Sequence, residues 1–505
     1  MDEQQELTDQ ITVRREKLAE LRRRGVDPFT TERYPRTHTT TEAAAAFREW
    51  EQVGEAADPP TAAIAGRVTS RRIMGRKAAF LDLSDQHGRL QLYVREDHLG
   101  PEAFTLLEFL DVGDIIGARG PVFRTRAGEI TLDTHELHIL TKALRPLPVA
   151  KEREGHVWGG LQDVEQRYRQ RYVDLAIHPQ VRDQFLRRSR IISEIRRFYE
   201  EHGYVEVETP VLQTVAGGAA ARPFVTYHHA LDLELHLRIS LELFLKRLLV
   251  GGVEKVFEIG RVFRNEGVST RHNPEFTLLE SYEAYANLED IQDLVEQLIC
   301  RLAVALWHRP AVPFRGEWID VTPPWPRLPL LEGIARYAGI GPAELEEFDS
   351  ARHAAERAGL DVSQETHLGG LLEKLHERFT QPHLEQPTFI TDFPIETSPL
   401  AKKRPDNPRL TRRFEAYLAT QEIANAFSEI NDPIDQRERF LVQARLRAAG
   451  DLEAHPMDED FLRALEYGMP PAGGLGIGVD RLVMVLTDTE SIRDVILFPL
   501  MRPER

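Results

Sequence analysis

One cysteine, Cys300, is all that the 505 residues contain, so no internal disulfide can form and a metal site built on paired thiolates is excluded. No apolar run approaches the roughly 18 residues that span a bilayer. The opening residues, with Asp2, Glu3 and Glu6, lack the basic-then-apolar order of a secretory signal. The expectation is a cytoplasmic chain with no membrane partner. Three familiar signatures are also missing: G-x-x-x-x-G-K-S/T, G-x-G-x-x-G after a strand, and H-E-x-x-H. A nucleotide, if bound, must be held in another way. A net charge of −17, from 64 basic and 81 acidic residues, argues at first against nucleic acid.

Charge is unevenly spread, however. Residues 61–150 hold twelve Lys and Arg against eleven Asp and Glu, and Arg67, Arg71, Arg72, Arg76 and Lys77 follow one another with no acid among them. RNA affinity depends on where cations cluster, whereas the total speaks to solubility. Composition (42% hydrophobic, 29% charged) and length fit two to four globular domains.

Residues 1–60 form a helical extension. Residues 8–24 read as an amphipathic helix with basic ends, Arg14-Arg15 and Arg22-Arg23-Arg24, stopped by Gly25 and Pro28; packing and RNA contact are both open uses for it. From Thr61 the period changes to two. Strands are expected at 63–73, 78–83, 89–94, 114–122 and 129–140, with a helical piece at 101–109. Five strands with a helix before the fourth suit a small Greek-key barrel of the oligonucleotide-binding (OB) type over 61–148. A linker follows at 149–164. From 165 to 505 helices and strands mix in α+β fashion, with strands expected at 204–208, 235–239, 255–264, 274–285, 412–418 and 422–430. A helical insertion occupies about 323–383. Irregular connections predict an antiparallel sheet.

Three runs carry chemistry. In the first, Phe257–Glu266 and Arg271–Tyr282, alternation along strands puts Arg264 with Glu266, and Phe276 with Leu278, Glu280 and Tyr282. Charges in such numbers are costly in a dry core. The second, Arg413–Asp432, reads as a hairpin. A two-residue turn at Leu418-Ala419 would set Glu415 opposite Glu422, where a divalent cation turns like-charge repulsion into a site. Asn425, Phe427 and Glu429 then share one face, and Ala424, Ala426 and Ser428 the other. The third, Gly473-Gly-Leu-Gly476-Ile-Gly478-Val-Asp480-Arg481, reads as a glycine-rich turn opening an apolar helix, and is weak evidence of phosphate binding by itself.

Together, GYVEVETP at 203–210, RVFRNEG, RHNPEF, EIANAFSEIND and GLGIGVDR in this order resemble the motifs of class II aminoacyl-tRNA synthetases, most closely the bacterial-type lysyl-tRNA synthetases. The HIGH and KMSKS signals of the other synthetase class are absent. The resemblance spans nearly the whole chain. It implies an N-terminal anticodon-reading barrel, an antiparallel catalytic sheet, a homodimer involving residues 204–210, and ATP, lysine and lysine tRNA as substrates. It also implies Mg²⁺, roughly two or three ions per subunit.

Position by position, the resemblance gives Arg264 the α-phosphate and the amino-acid carboxylate. Glu266, His272, Phe276, Glu415, Gly478 and Arg481 become ATP contacts, with Arg264, Glu266 and Arg481 the catalytic set. Glu415 and Glu422 become metal ligands. Gly218 and Glu242 hold the α-amino group, while Glu280, Tyr282, Asn425, Phe427 and Glu429 line the lysine pocket. Arg71, Phe80, Gln91 and Glu136 match anticodon-reading positions. Ser240-Leu241, Ala216 and Ala419-Thr420-Gln421 depart from the family's usual residues, and all three concern loop geometry.

Physical reasoning favours lysine. The barrel-plus-sheet plan is shared with aspartyl- and asparaginyl-tRNA synthetases, but an aspartate pocket needs cations, and here the candidates are acids. A buried ammonium needs carboxylates beside it to stay charged. Two rivals remain: a paralogue lysylating a protein acceptor, which usually lacks the barrel, and a non-catalytic RNA-binding relative, in which motif residues would be lost.

Overall fold

Alternation, strict over 78–84 and 89–95 and looser in the flanking strands, buries one face of each strand and leaves the other more open to solvent. The strands are β1 (Thr61–Met74), β2 (Ala78–Ser84), β3 (Arg89–Arg95), β4 (Ile115–Arg124), β5 (Ile130–Thr134) and β6 (Glu136–Thr141). In this computed structural model, residues 3–54, 58–148, 151–153, 156–158, 160–450 and 453–504 are described. The chain divides into two units at Gln162/Asp163. Part of the expected linker at 149–164 lies outside the described residues.

In the first unit β1 pairs with both β2 and β4, β2 with β3, β3 in parallel with β5, and β5 with β4, so five strands close on themselves. Ile64, Val68, Leu81, Leu92, Val122 and Leu132 fill the interior. The single strand expected at 129–140 is two. The chain breaks at His135, so that β5 lies between β3 and β4 while β6 continues along β4 alone. Barrel closure explains the break, because the next residues must leave β3 for the rim. Helix α1 (Glu3–Arg23) turns Arg14 inward, its guanidinium donating to the carbonyls of Ala143 and Val112 at 2.9 and 3.0 Å. Arg22, Arg23 and Arg24 stay exposed. Helix α2 (Thr40–Val53) starts at a reciprocal Thr39–Glu42 capping box.

The second unit is built on an eight-stranded sheet. Its strands are β7 (Val205–Glu206), β8 (Lys255–Phe263), β9 (Glu275–Ala284), β10 (Arg327–Pro329), β11 (Thr388–Thr391), β12 (Arg413–Leu418), β13 (Gln421–Ser428) and β14 (Ala472–Gly478), in the order β10-β11-β12-β13-β14-β9-β8-β7. All pairs are antiparallel except the two at the edges. One face packs on α3 (Pro179–Glu201) and α4 (Leu288–Trp307) through Ile195, Tyr199, Leu298 and Leu302. The insertion contributes helices Leu330–Ala338, Phe348–Arg357 and Leu368–Leu375 with a small core of their own.

The largest difference from the sequence reading is β14. The run at 472–478 is no turn but a central strand, between β13 and β9. Glycine normally weakens a strand, which is why composition pointed elsewhere; two flanking partners supply its backbone hydrogen bonds here.

Gly120 marks the tightest point of the barrel, where a Cβ would overlap the Asp133 carbonyl oxygen. Gly120→Ala is expected to cost about 1–3 kcal/mol through forced backbone separation. Urea unfolding of the native and substituted chains, read on the first unit's transition, checks this.

Candidate active site

Strand pairing assembles one cavity of about 450 Å³ on the face of the sheet opposite α3 and α4. On β9, the alternate residues Phe276, Leu278, Glu280 and Tyr282 all line it. On β13, Asn425 and Phe427 line it as well, while Ala424 and Ala426 pack into the core. Between these strands the floor is the glycine face of β14, with Gly474 paired to Tyr282 and Phe427, and Gly476 to Glu280 and Asn425. A Cβ on Gly474 would overlap Glu429 Oε1 and crowd the Tyr282 ring. Glycine is therefore required by side chains reaching across from both neighbours.

The hairpin register differs from expectation. The turn is Ala419-Thr420, both with positive φ (53° and 63°), one residue later than read from sequence. This is the turn geometry whose twist suits adjoining strands. Glu415 consequently faces Asn425, and Glu422 faces Tyr417. A bulge between Ala416 and Tyr417 of the pairing absorbs Ile423 as an extra residue. Three residues separate Glu422 from Asn425, so a regular strand would aim them to opposite faces. The bulge brings Glu422 round to the cavity.

Glu415 does not line the cavity. It lies just beneath, accepting hydrogen bonds from Arg413 Nη2 at 2.7 Å and Tyr417 OH at 2.6 Å. Burial, opposed by Arg413 and reinforced by Glu422 and Glu373, pushes its pKa up to about 7. Glu422 accepts from Arg481 Nη1 at 2.7 Å. Mutually repelling carboxylates offering only hard oxygens fit a divalent cation of the Mg²⁺ type.

Arginines dominate the nucleotide-sized part of the cavity. Strand β8 stops at Phe263, so Arg264 and Glu266 leave the sheet in a loop rather than sharing a strand face, yet both border the cavity. Arg264 sits 5.1 Å over the Phe276 ring and donates to the Ile239 carbonyl at 3.3 Å. His272 is held by Ser269 at 3.1 Å, and burial together with Arg481 lowers its pKa. Gly218, Gly478 and Arg481 also line the cavity. Asp480, buried at the cavity's border, accepts from Thr277 N at 2.6 Å and pairs with Arg188, and so anchors the helix that carries Arg481.

At the other end the charge is negative and buried. Glu280 accepts from Ser240 Oγ, Leu241 N and Tyr282 OH at 2.7, 2.9 and 2.9 Å, and burial raises its pKa to about 7. Glu242 opens helix α5 (Glu242–Val250) and lines the cavity. Glu429 is fully buried behind the cavity wall rather than on it. Its Oε1 has no donor and lies against Gly474. Lys246 is the residue that sequence reasoning missed. Its ammonium pairs with both Glu242 and Glu429 and lies 5.4 Å from the Phe427 ring and 5.8 Å from the Tyr282 ring. Burial pulls its pKa down, and the two carboxylates more than reverse this. Only the four-residue spacing from Glu242 hints at it in the sequence. His455 also lines the cavity, kept neutral by burial and by Lys246, its pKa pushed down to about 4.

On the barrel, Phe80 stacks on Tyr93 at 4.7 Å, and Phe123 lies 6.2 Å beyond. Arg72 lies 6.0 Å from the Phe80 ring and Arg95 5.9 Å from Tyr93. This half-buried aromatic row with basic neighbours is an arrangement suited to stacking with nucleobases. Gln91 accepts from Thr131 Oγ1 at 3.1 Å, and Glu136 is exposed beside Arg119. Arg71 does not join Phe80: it pairs in register with buried Leu81 and donates to the Leu110 carbonyl at 2.8 Å, leaving Arg72 on the aromatic face. Tyr93, Phe123 and Arg72 needed cross-strand register to be recognised.

Comparison with known proteins gives two family matches. Residues 163–502 match the model of class II tRNA synthetases (D, K and N), and residues 62–140 match an OB-fold nucleic acid binding domain. The chain is 53% identical over 496 residues to a lysine–tRNA ligase of Moorella thermoacetica, covering 98% of each chain. It is 53% identical over 502 residues to that of Pelotomaculum thermopropionicum, covering 99% of this chain and 96% of the relative. For the Bacillus subtilis lysine–tRNA ligase the identity is 49% over 500 residues, with 99% and 98% covered.

Removing Lys246 leaves buried carboxylates without a counter-ion. Lys246→Met is expected to lose about 3–5 kcal/mol of stability at pH 8. Burial already raises the pKa of Glu242 and Glu429, and loss of the ammonium raises it further. The folded variant then binds protons that its unfolded form does not, so stability is recovered as pH falls from 8 to 6. Urea midpoints of both proteins at the two pH values check the sign.

Proposed function

The chain belongs to the class II tRNA synthetases, and from that premise we propose that it is a lysine–tRNA ligase, activating lysine with ATP and passing it to the 3′ end of lysine tRNA. One observation carries the choice of amino acid: Glu242, Glu280 and Glu429 are buried, and among the described residues the one cation ion-paired with them is Lys246. With all three ionised the cluster carries two uncompensated negative charges. Lysine brings two ammonium groups, and its carboxylate finds Arg264 at the junction with the nucleotide end. An aspartate side chain would add charge of the wrong sign. A site that demands paired charges also rejects norleucine, which lacks the ε-ammonium, far better than an apolar slot would.

The residues divide the work by position. Gly218 and Glu242 receive the α-amino group; Tyr282 and Glu429 receive the ε-ammonium, between the walls made by Asn425 and Phe427. Glu280 holds Ser240 and Tyr282 in place around it. Phe276 and Arg481 enclose the adenine, with Glu266, His272 and Gly478 beside the nucleotide. Arg264 lies where it can grip both the α-phosphate and the amino-acid carboxylate. No protein nucleophile is needed: a carboxylate oxygen of lysine attacks the α-phosphorus, the bond from that phosphorus to the α,β-bridging oxygen breaks, the β- and γ-phosphates leave together as pyrophosphate, and the arginines stabilise the charge that develops. Glu415 and Glu422 would hold Mg²⁺, which supplies further charge stabilisation on the phosphates when bound. The terminal ribose hydroxyl of the tRNA then attacks the adenylate carbonyl, releasing AMP.

The barrel face of Phe80, Tyr93 and Phe123, with Gln91 and Glu136, reads the anticodon by stacking and edge contacts. The protein acts in the cytoplasm as a homodimer. Exposed Val205, Val211 and Leu212, in and beside the first motif, supply apolar surface for the partner.

Arg264→Ala and Glu429→Gln are each expected to lower lysine-dependent ATP–pyrophosphate exchange more than about tenfold, a loss of roughly 1.4 kcal/mol or more in transition-state binding. Near-native exchange in either removes that residue from its role. Val211→Asp is expected to shift the sedimentation mass from dimer toward monomer; an unchanged mass places the interface elsewhere.

A further inference from the structure

We propose that His98, Asp133 and His135 form a binding site for one divalent transition-metal ion of the zinc class on the barrel. The inference goes beyond the ligase reading and does not depend on it. Among the described residues this is the one group of three His, Cys, Asp or Glu whose ligand atoms all lie within 4.8 Å of one another. The three come from separate places. His98 sits in the short helix Glu96–Leu99 that follows β3, Asp133 on β5, and His135 at the break between β5 and β6.

The spacing fits coordination. Two ligand atoms about 2.05 Å from a tetrahedral zinc ion lie roughly 3.3 Å from each other. Here His98 Nδ1 is 2.8 Å, and His135 Nε2 3.6 Å, from Asp133 Oδ2. These two distances bracket the ideal, and the two histidine nitrogens lie within 4.8 Å of each other. The rings stand edge-on to each other, with centroids 5.2 Å apart and planes at 76°, so they do not stack across the space between them. Two imidazole nitrogens and one carboxylate oxygen select borderline cations such as Zn²⁺, Co²⁺ or Ni²⁺ over Mg²⁺, which prefers oxygen alone.

The backbone beneath is fixed. The His135 amide donates to the Arg119 carbonyl at 2.9 Å, and Asp133 is in register with Tyr93 on β3. The neighbouring cations are already engaged, Arg95 with Asp97 and Arg119 with Glu136. Three protein ligands leave a coordination position for water or an incoming group.

The test uses the full chain without a histidine tag, at pH 7.5, with Mg²⁺ in large excess to occupy the carboxylate sites of the cavity. Co²⁺ is titrated and followed by its visible d–d bands, then displaced with Zn²⁺. The expected result is one ion per chain, with affinity reduced about tenfold or more in His98→Ala and in His135→Ala, since even an outer partner of a ligand is worth that much. Circular dichroism verifies that both variants are folded, and His98→Gln provides a second substitution at the same place. Cys300→Ser should bind as the native chain does. Absence of saturable binding, binding unchanged in both histidine variants, or loss only with Cys300→Ser overturns the proposal.

Discussion

Buried negative charge in excess of its counter-ions is the constraint on which the catalytic unit is organised. Glu242, Glu280 and Glu429 come from a helix, a central strand and the end of a hairpin, and nothing local brings them together. Left alone they would take up protons, and Glu280, at about pKa 7, is close to doing so. Lys246 pairs with two of them and opposes the upward shift that burial imposes. Hydrogen bonds from Ser240, Leu241 and Tyr282 orient the third. A pocket built this way has a standing demand for positive charge.

That wall depends on a strand with almost no side chains. Gly474 and Gly476 in β14 leave room for Tyr282 and Glu429 to reach over the floor from opposite sides. Leu475 and Ile477, on the reverse face of the same strand, sit in the main core. One seven-residue strand thus serves packing on one side and ligand space on the other. The bulge in β13 complements it by rotating Glu422 onto the face that already carries Asn425 and Phe427. Anchoring by Asp480, itself tied to Thr277 and Arg188, sets Arg481 beside Glu422.

The two units solve different recognition problems with different physics. On the barrel, half-buried rings flanked by guanidiniums suit stacking, which tolerates variation in angle. In the catalytic unit, buried carboxylates stand at one end of a cavity, where a misplaced or missing counter-charge is severely penalised. The acidic total of the chain says little about either, because each site depends on its own local balance.

Much was legible in residue order. Period-two alternation located the barrel strands, and the charged motifs named most of the ionisable residues that line the cavity, since such residues amid apolar strand positions are rarely accidental. Local sequence could not distinguish a glycine-rich turn from the glycine strand β14, because only the partners on either side make such a strand stable. Nor could it set the hairpin register, where a one-residue shift of the turn and a bulge decide which face Glu422 occupies. The pairing of Lys246 with Glu429, 183 positions apart in a chain of 505, and the alignment of Phe80, Tyr93 and Phe123 on separate strands exist only in the folded molecule. Residue chemistry and periodicity are local and can be read along the chain; register, closure and the neutralisation of buried charge are long-range, and the packed structure alone decides them.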